Sequence, residues 1–445
     1  MVKDMTQGNP FKLIISFSLP LMIGHVFQSL YSTVDTIVVG RCIGVDALAA
    51  VGSTGPLSNL ILGLVLGICA GFTVPIAQFF GAGDLHQMRR YVANSIYLGA
   101  FITLLFTAAT TIFTRQLLDM MNTPADIMEG AYDYISVYFG GMFTMVLYNL
   151  LSGFIRALGD SKTPLLFLVV SSATNIILDL VFVLVFDMGV AGAAWATVFS
   201  QGISGVLCIW IIVKRIPQLH LTREELAPDF GMMKQLLLNG VPMGLQNSIT
   251  SIGGALVQSA VNSLGSIIVA SITTATNVQN LLIGPMSTLG STASIYCGQN
   301  LGAKRFDRIR LGIRQFMLIM AVFGGISMLV MNLFGTRIAL LFIDSTETAV
   351  LEYVRTFLFI HSFFYIPVGM LFIFRSSLQG MGYAVVAMFG SVFELVARTC
   401  VAFFLVRPFG FIGACASLPM AWCSALLLVI PMYFYQIRRM EKQQA

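Results

Sequence analysis

Asp35, Asp179 and Glu394 each interrupt a long apolar run, whereas nearly all other carboxylates of the chain fall in short polar connections or at the ends of apolar segments. A carboxylate surrounded by hydrocarbon costs several kcal/mol unless it is protonated, paired or solvated by a cavity. Asn175 stands four residues before Asp179, a spacing that puts both on one face of a helix. Acid and amide oxygens gathered in this way suit a hard cation such as Na+. Protonation of the same acids would instead make a proton carrier, so oxygen ligands alone do not separate the two ions. Glu394 is different: Arg398 follows one helical turn later and can neutralise it, which reads as a structural pair.

The elements that carry these residues follow from composition. Of 445 residues, 57% are hydrophobic and 10% charged, with mean hydropathy +0.86. A soluble domain carries about 25% charged residues. Such a chain cannot cover itself with a polar surface, and the expected class is an all-α membrane protein. Forty-one glycines suit close helix packing. The seven cysteines are mostly scattered in apolar stretches and form neither a metal spacing nor a disulfide framework. The first apolar segment has no small-residue cleavage site and reads as a retained helix. No nucleotide-binding loop, metal pair or nucleophile–base set is present, so neither an enzyme, a cofactor nor a nucleic-acid partner is expected; "GAGDLHQMRR" reads as a turn at a helix end.

Turn residues divide the apolar sequence into twelve expected spans, at 11–40, 46–79, 87–115, 126–156, 163–187, 190–215, 231–262, 266–299, 308–335, 347–379, 383–407 and 411–437. With the N-terminus inside, 18 of the 25 Lys and Arg fall in cytoplasmic segments and five, among them Arg41 and Arg337, on the other side. That bias places both termini in the cytoplasm. Arg375 then falls near a helix end and Arg398 within a span. The charged connection after Lys214 divides the chain into a first lobe at 1–215, a linker at 216–230 and a second lobe at 231–445.

The two halves read as a repeat. Shifted by about 221 residues, Pro20 meets Pro242, "AQFFGAGDLHQMRR" from Ala77 meets "CGQNLGAKRFDRIR" from Cys297, "RALGD" from Arg156 meets "QGMGY" from Gln379, and "GVAGAAWA" from Gly189 meets "GFIGACAS" from Gly410. Six spans per repeat give both halves the same orientation, the parallel arrangement of one class of secondary transporters.

Helix rise converts positions into depth. Asp35 lies about 35 Å along the first helix from Lys12, and Asp179 about 24 Å along the fifth from Thr163. Both fall in the outer half of the bilayer, with Thr197 of the sixth helix at a similar level and Asn149 at mid-depth. Pro20, fifteen residues before Asp35, removes a backbone hydrogen bond and should weaken or kink its helix. The second-lobe counterpart of Asp35 falls near Val257 and Gln258, which carry no charge. His25 and His361 are read as packed histidines. Some of the 24 methionines and 35 phenylalanines could line an adaptable, greasy pocket.

Pro20, Asp35, "RALGDSKTP" (156–164) and "NIILD" (175–179), in twelve spans, resemble the multidrug and toxic compound extrusion (MATE) family across essentially the whole chain. The resemblance implies two six-helix lobes in a V around a central cleft. It also implies export of cationic or amphiphilic organic compounds by alternating access, coupled to Na+ or H+ entry, in a prokaryotic plasma membrane. The DinF-like cation site would fall on Asp35, Asn175, Asp179 and Thr197, with Asn149 nearby, and these would hold the metal if the ion is Na+. NorM-like members are expected to carry acids where this second lobe has Gln246, Asn247, Gln258 and His361. Membrane lipid is the only other partner expected, with function as a monomer. A flippase for lipid-linked oligosaccharides, from the same superfamily, is the alternative.

Overall fold

The structure, a computed structural model, describes residues 3–444, without the side chains of Leu30, Ser32, Thr33, Val45 and Gln444. Its described residues fold into fifteen α-helices joined by short connections. Helix α1 (Pro10–Val38) opens on Pro10 behind Asn9, whose Oδ1 accepts from the Lys12 amide at 3.3 Å. Proline at the first helical position and asparagine before it are both favoured, because the first amides of a helix lack intrahelical partners. Then follow α2 (Val45–Gly81), α3 (Leu85–Met120), α4 (Met128–Gly140), α5 (Met142–Ala157), α6 (Lys162–Leu180) and α7 (Gly189–Arg215). The second set is α8 (Phe230–Asn262), α9 (Ser266–Gly302), α10 (Phe306–Ala339), α11 (Thr348–Ser362), α12 (Tyr365–Gly380), α13 (Ala384–Phe404), α14 (Val406–Cys415) and α15 (Ser417–Gln444).

Among the described residues, nine helices are long and apolar enough to cross a membrane, and the bent pairs α4–α5 and α11–α12 bring the total to eleven. The expected spans 126–156 and 347–379 are therefore broken helices, bent by 43° and 52°. The first break falls at Gly141, where a Cβ would lie 2.1 Å from Val198 of α7, so the bend lets α5 pack directly on α7. Helix α8, read as the seventh span, is 33 residues long but is diluted by Asn239, Gln246, Asn247 and Gln258 and lies outside that set.

The duplication is written into the backbone. Residues with positive φ recur in pairs: Gly44 and Gly265 (130° and 100°), Gly83 and Lys304 (74° and 55°), Gly159 and Gly382 (82° and 89°), Gly189 and Gly410 (57° and 54°). Each pair ends or begins the equivalent helix in its half. A left-handed residue is sterically costly outside glycine, so its recurrence at matched positions is a demanding signature of common design.

The chain divides into two compact units. Unit 1 comprises Met1–Met5 and Leu19–Ser248; unit 2 comprises Thr6–Ser18 and Ile249–Ala445. Helix α1 passes from unit 2 to unit 1 directly beside Pro20, and α8 passes from unit 1 to unit 2 six residues after Pro242. Within unit 1, Gly67 and Gly71 of α2 face Gly244 and Gly240 of α8. A Cβ on Gly71 would come 2.4 Å from the Gly240 Cα, and one on Gly67 would come 2.7 Å from the Gly244 Cα. Small residues at four-residue spacing let the two backbones touch.

The connection at 216–230 is fastened to the start of α3 in unit 1. Arg89 donates from Nε to the Gln218 carbonyl at 2.9 Å, and Arg90 pairs with Asp229 at 2.8 Å. Buried Glu225 accepts from the Thr222 amide at 2.8 Å and meets Arg89 at 3.4 Å and His86 at 3.3 Å. Burial pushes its carboxyl up, but Thr222, Arg89 and His86 together outweigh burial and hold it below the ordinary 4.5. A depressed acid stabilises the fold above its unfolded pKa, and that contribution disappears as pH falls through the folded value. Glu225→Gln is thus expected to lower stability by about 0.5–1 kcal/mol at neutral pH, screened by solvent at this margin. The gap to wild type should close below about pH 4.5, and thermal unfolding across pH checks both points.

Candidate functional site

Helix α6 delivers the first two site residues. Its start is fixed by Asp160, whose Oδ1 accepts from the amides of Lys162 and Thr163 at 3.0 and 3.1 Å while Oδ2 accepts from the Thr163 hydroxyl at 2.7 Å. The "GDSKTP" segment therefore works as a helix cap, with Pro164 inside the first turn. From this fixed start, Asn175 and Asp179 reach the interior one turn apart, 1% and 0% exposed. Helix α6 passes into a π-helical turn at Val181–Val185 just beyond Asp179, and α1 does the same at Val39–Ile43 beyond Asp35. Single π-turns of this kind are frequent at functional sites, since the extra residue re-aims neighbouring side chains.

The structure brings Asp35, Asn175, Asp179 and Thr197 together. Asp35 and Asp179 lie close enough to act on each other electrostatically. Asn175 donates from Nδ2 toward Thr197 Oγ1 at 3.5 Å, and Thr197 donates to the Ala193 carbonyl at 3.3 Å. That orientation leaves oxygens facing inward. Both Asp179 oxygens, Oδ1 of Asp35 and Oδ1 of Asn175 are buried without a hydrogen-bond partner among the described residues. Neither acid forms a salt bridge there. Buried charge without a counter-charge is costly, so this set is complete only with a proton or a cation.

Sequence reasoning missed several neighbours. Tyr31, Tyr134 and Tyr138 lie in the electrostatic field of Asp35, Tyr31 and Tyr134 also in that of Asp179. Tyr31 sits one turn before Asp35 on α1, a spacing that could have drawn attention to it. Tyr134 and Tyr138 come from α4 and carry no such mark. Gln201, one turn beyond Thr197 on α7, adds another buried and unpartnered oxygen. Asn149 is half-buried on α5, and its Nδ2 donates to the Met145 carbonyl at 2.8 Å. No group of three His, Cys, Asp or Glu side chains capable of holding a metal occurs among the described residues. Two acids with amide and hydroxyl oxygens fit a monovalent cation or a proton better than a transition metal.

The MatE family profile matches the chain twice, at residues 20–181 and 242–404. The chain belongs to the MATE family. Each match opens on a proline, Pro20 and Pro242, and together they cover most of the sequence. MATE relatives include the probable multidrug resistance protein YoeA of Bacillus subtilis (strain 168), 30% identical over 427 residues, 94% of this chain and 92% of that protein. Another is the probable multidrug resistance protein YpnP of the same organism, 28% identical over 407 residues, 91% and 88% of the two chains. Among solved structures, an outward-facing multidrug resistance MATE transporter of the MOP superfamily superposes with TM-score 0.92 at 25% identity, covering 98% of both chains. This MATE protein is accordingly a multi-pass, all-α membrane transporter.

The second half of this MATE chain is built differently from the first. The sequence pairs Glu394 of α13 with Arg398, and the two do meet. The closer partner of Glu394 is Arg375 of α12, from Nη1 to Oε1 at 2.8 Å, while Arg398 stands 3.7 Å away. Arg375, five residues before the end of α12, is thus part of a buried cluster. His361 behaves as a packed histidine. Its ring nitrogens meet Gln279 Oε1 at 3.1 Å and the Cys415 carbonyl at 2.9 Å, and its ring lies on Phe357. Gln258, near the repeat counterpart of Asp35, donates to Asn262 at 2.8 Å. All seven cysteines are free thiols.

Proposed function

We propose that this MATE protein is a secondary multidrug antiporter of a prokaryotic plasma membrane, with both termini cytoplasmic and the monomer as functional form. It exports cationic or amphiphilic organic compounds in exchange for Na+ or H+. The observation that carries this reading is the buried pair Asp35 and Asp179, which has no counter-charge among the described residues. The coupling cation occupies the oxygens of Asp35, Asn175, Asp179 and Thr197. Unit 2 offers no comparable acid pair, which supports a closer relation to the DinF-like than to the NorM-like branch and one-sided coupling.

Two independently imposed gradients test the coupling. Dye efflux from proteoliposomes should follow either an inward Na+ gradient or an inward H+ gradient and stop when that gradient is collapsed. Efflux that ignores both ions would remove the antiporter reading.

Pro20 is the proposed hinge. It stands where α1 passes between the two compact units and where one intrahelical hydrogen bond is missing. Cation binding at Asp35 favours one bend of that helix and substrate the other. Pro20→Ala restores a backbone donor, so thermal stability should hold or rise while efflux falls several-fold. A variant that loses stability and transport in parallel would mark the proline as structural.

A further inference from the structure

In unit 2, three charged side chains meet away from water. Arg375, Glu394 and Arg398 have side chains 11%, 4% and 8% exposed, and Glu394 bridges the two guanidinium groups at 2.8 and 3.7 Å. Among the described residues, Glu394 is the only carboxylate paired with either arginine. A guanidinium keeps its charge at any pH a protein tolerates. The cluster therefore holds two positive charges against at most one negative, and an uncompensated buried charge is unfavourable.

Hydrogen bonding is incomplete in the same place. Arg398 donates from Nη1 to the Thr250 carbonyl at 3.1 Å, while its Nε–H is buried without a partner among the described residues. Its side chain lies over Gly253 and Gly254 of α8, where added Cβ atoms would stand 3.0 Å from Cδ and 3.8 Å from Nη1. Two consecutive glycines thus let the arginine pack against that helix, where neither supplies a side-chain acceptor for it. An occupant that supplies both the missing charge and the missing acceptor must be an anion.

The repeat gives a second, independent argument. Arg398 and Asn175 each lie six residues before the end of their MatE match. At the equivalent level, unit 1 gathers two acids without counter-charge, and unit 2 gathers two arginines around one acid. The helix that carries Asn175 and Asp179 in unit 1 thus has as its counterpart the helix that carries Glu394 and Arg398 in unit 2, with the balance of charge inverted.

We propose that Arg375 and Arg398 form an anion site in unit 2 that takes the carboxylate of an amphiphilic organic acid, with Glu394 limiting the net charge. The assignment deepens the reading of the chain as a carrier of small organic compounds and names a substrate class for it. A carboxylate on the guanidinium fork would form charge-assisted bonds of the strong kind.

The test is equilibrium binding to the full chain in phosphatidylcholine nanodiscs. The probes are dansylglycine and its uncharged methyl ester, read by energy transfer from the native tryptophans. Wild type should bind the acid at least about tenfold more tightly than the ester. Arg398→Gln should erase that preference, and Arg398→Lys should retain part of it. Glu394→Gln should enlarge it, because the cluster gains a net positive charge. Opposite effects of the two uncharged replacements are not produced by loss of packing. Where Arg398→Gln fails to fold, the Glu394→Gln measurement decides alone. Competition by acetate but not by chloride supports an organic carboxylate as occupant; equal displacement by chloride would reassign the site to an inorganic anion and overturn the proposal. Equal affinity of wild type for acid and ester, or loss of the preference in Glu394→Gln, would also overturn it. The measurement needs no gradient, so its outcome is independent of whether efflux is coupled to Na+ or H+.

Discussion

Asp35→Asn and Asp179→Asn are each expected to abolish gradient-driven efflux while leaving the protein folded and inserted. The carboxamide keeps the shape and polar atoms of the acid but neither binds a cation as strongly nor releases a proton. Asp179 has both oxygens buried and, among the described residues, unpartnered, with Asp35 beside it. Two adjacent acids without a counter-charge destabilise the resting fold. Replacing one should therefore leave stability unchanged or raise it by about 1 kcal/mol, the scale of relieving an unsatisfied buried group. Loss of transport combined with a higher unfolding midpoint would be difficult to obtain from a structural residue. Retained coupled efflux in either variant would end the assignment of the site.

Gly71→Leu should have the largest effect on folding. The Gly71 Cα hydrogen faces the Gly240 backbone so closely that even a methyl group would stand 2.4 Å from its Cα. Neither backbone can yield as the end of a flexible side chain could, and α2 carries a second such contact at Gly67. Overpacking in rigid cores costs about 1–3 kcal/mol, and more where backbone must move. The unfolding midpoint in detergent should drop accordingly, with Gly71→Ala intermediate. In a membrane no hydrophobic force pulls helices together, so the lost close packing is not recovered elsewhere. A Gly71→Leu protein as stable as wild type would show that the two backbones separate freely.

Much of the architecture was legible in one dimension. Hydropathy reports burial in lipid residue by residue, so the long helices and the acids that interrupt them stand out. The repeat was legible because glycine takes left-handed backbone at the least steric cost and so tends to recur at such turns, and Gly159 and Gly189 have counterparts at Gly382 and Gly410. The bends at Gly141 and after Ser362 were not legible, because a short break between two apolar helices leaves hydropathy unchanged. Asn175 could be assigned to the face of Asp179 because helical spacing is local. Tyr134 and Tyr138 could not, since they arrive from another helix through packing alone.

The sequence by itself determined that this chain lies in a membrane, that it is duplicated, and that its first half carries two acids within apolar helices. These follow from composition and local spacing, which do not depend on how the helices pack. Only the tertiary structure decided the partners. Glu394 has Arg398 four residues away, yet it binds Arg375, nineteen residues away, more closely. A buried charge takes the partner that packing brings nearest, and packing is a property of three dimensions.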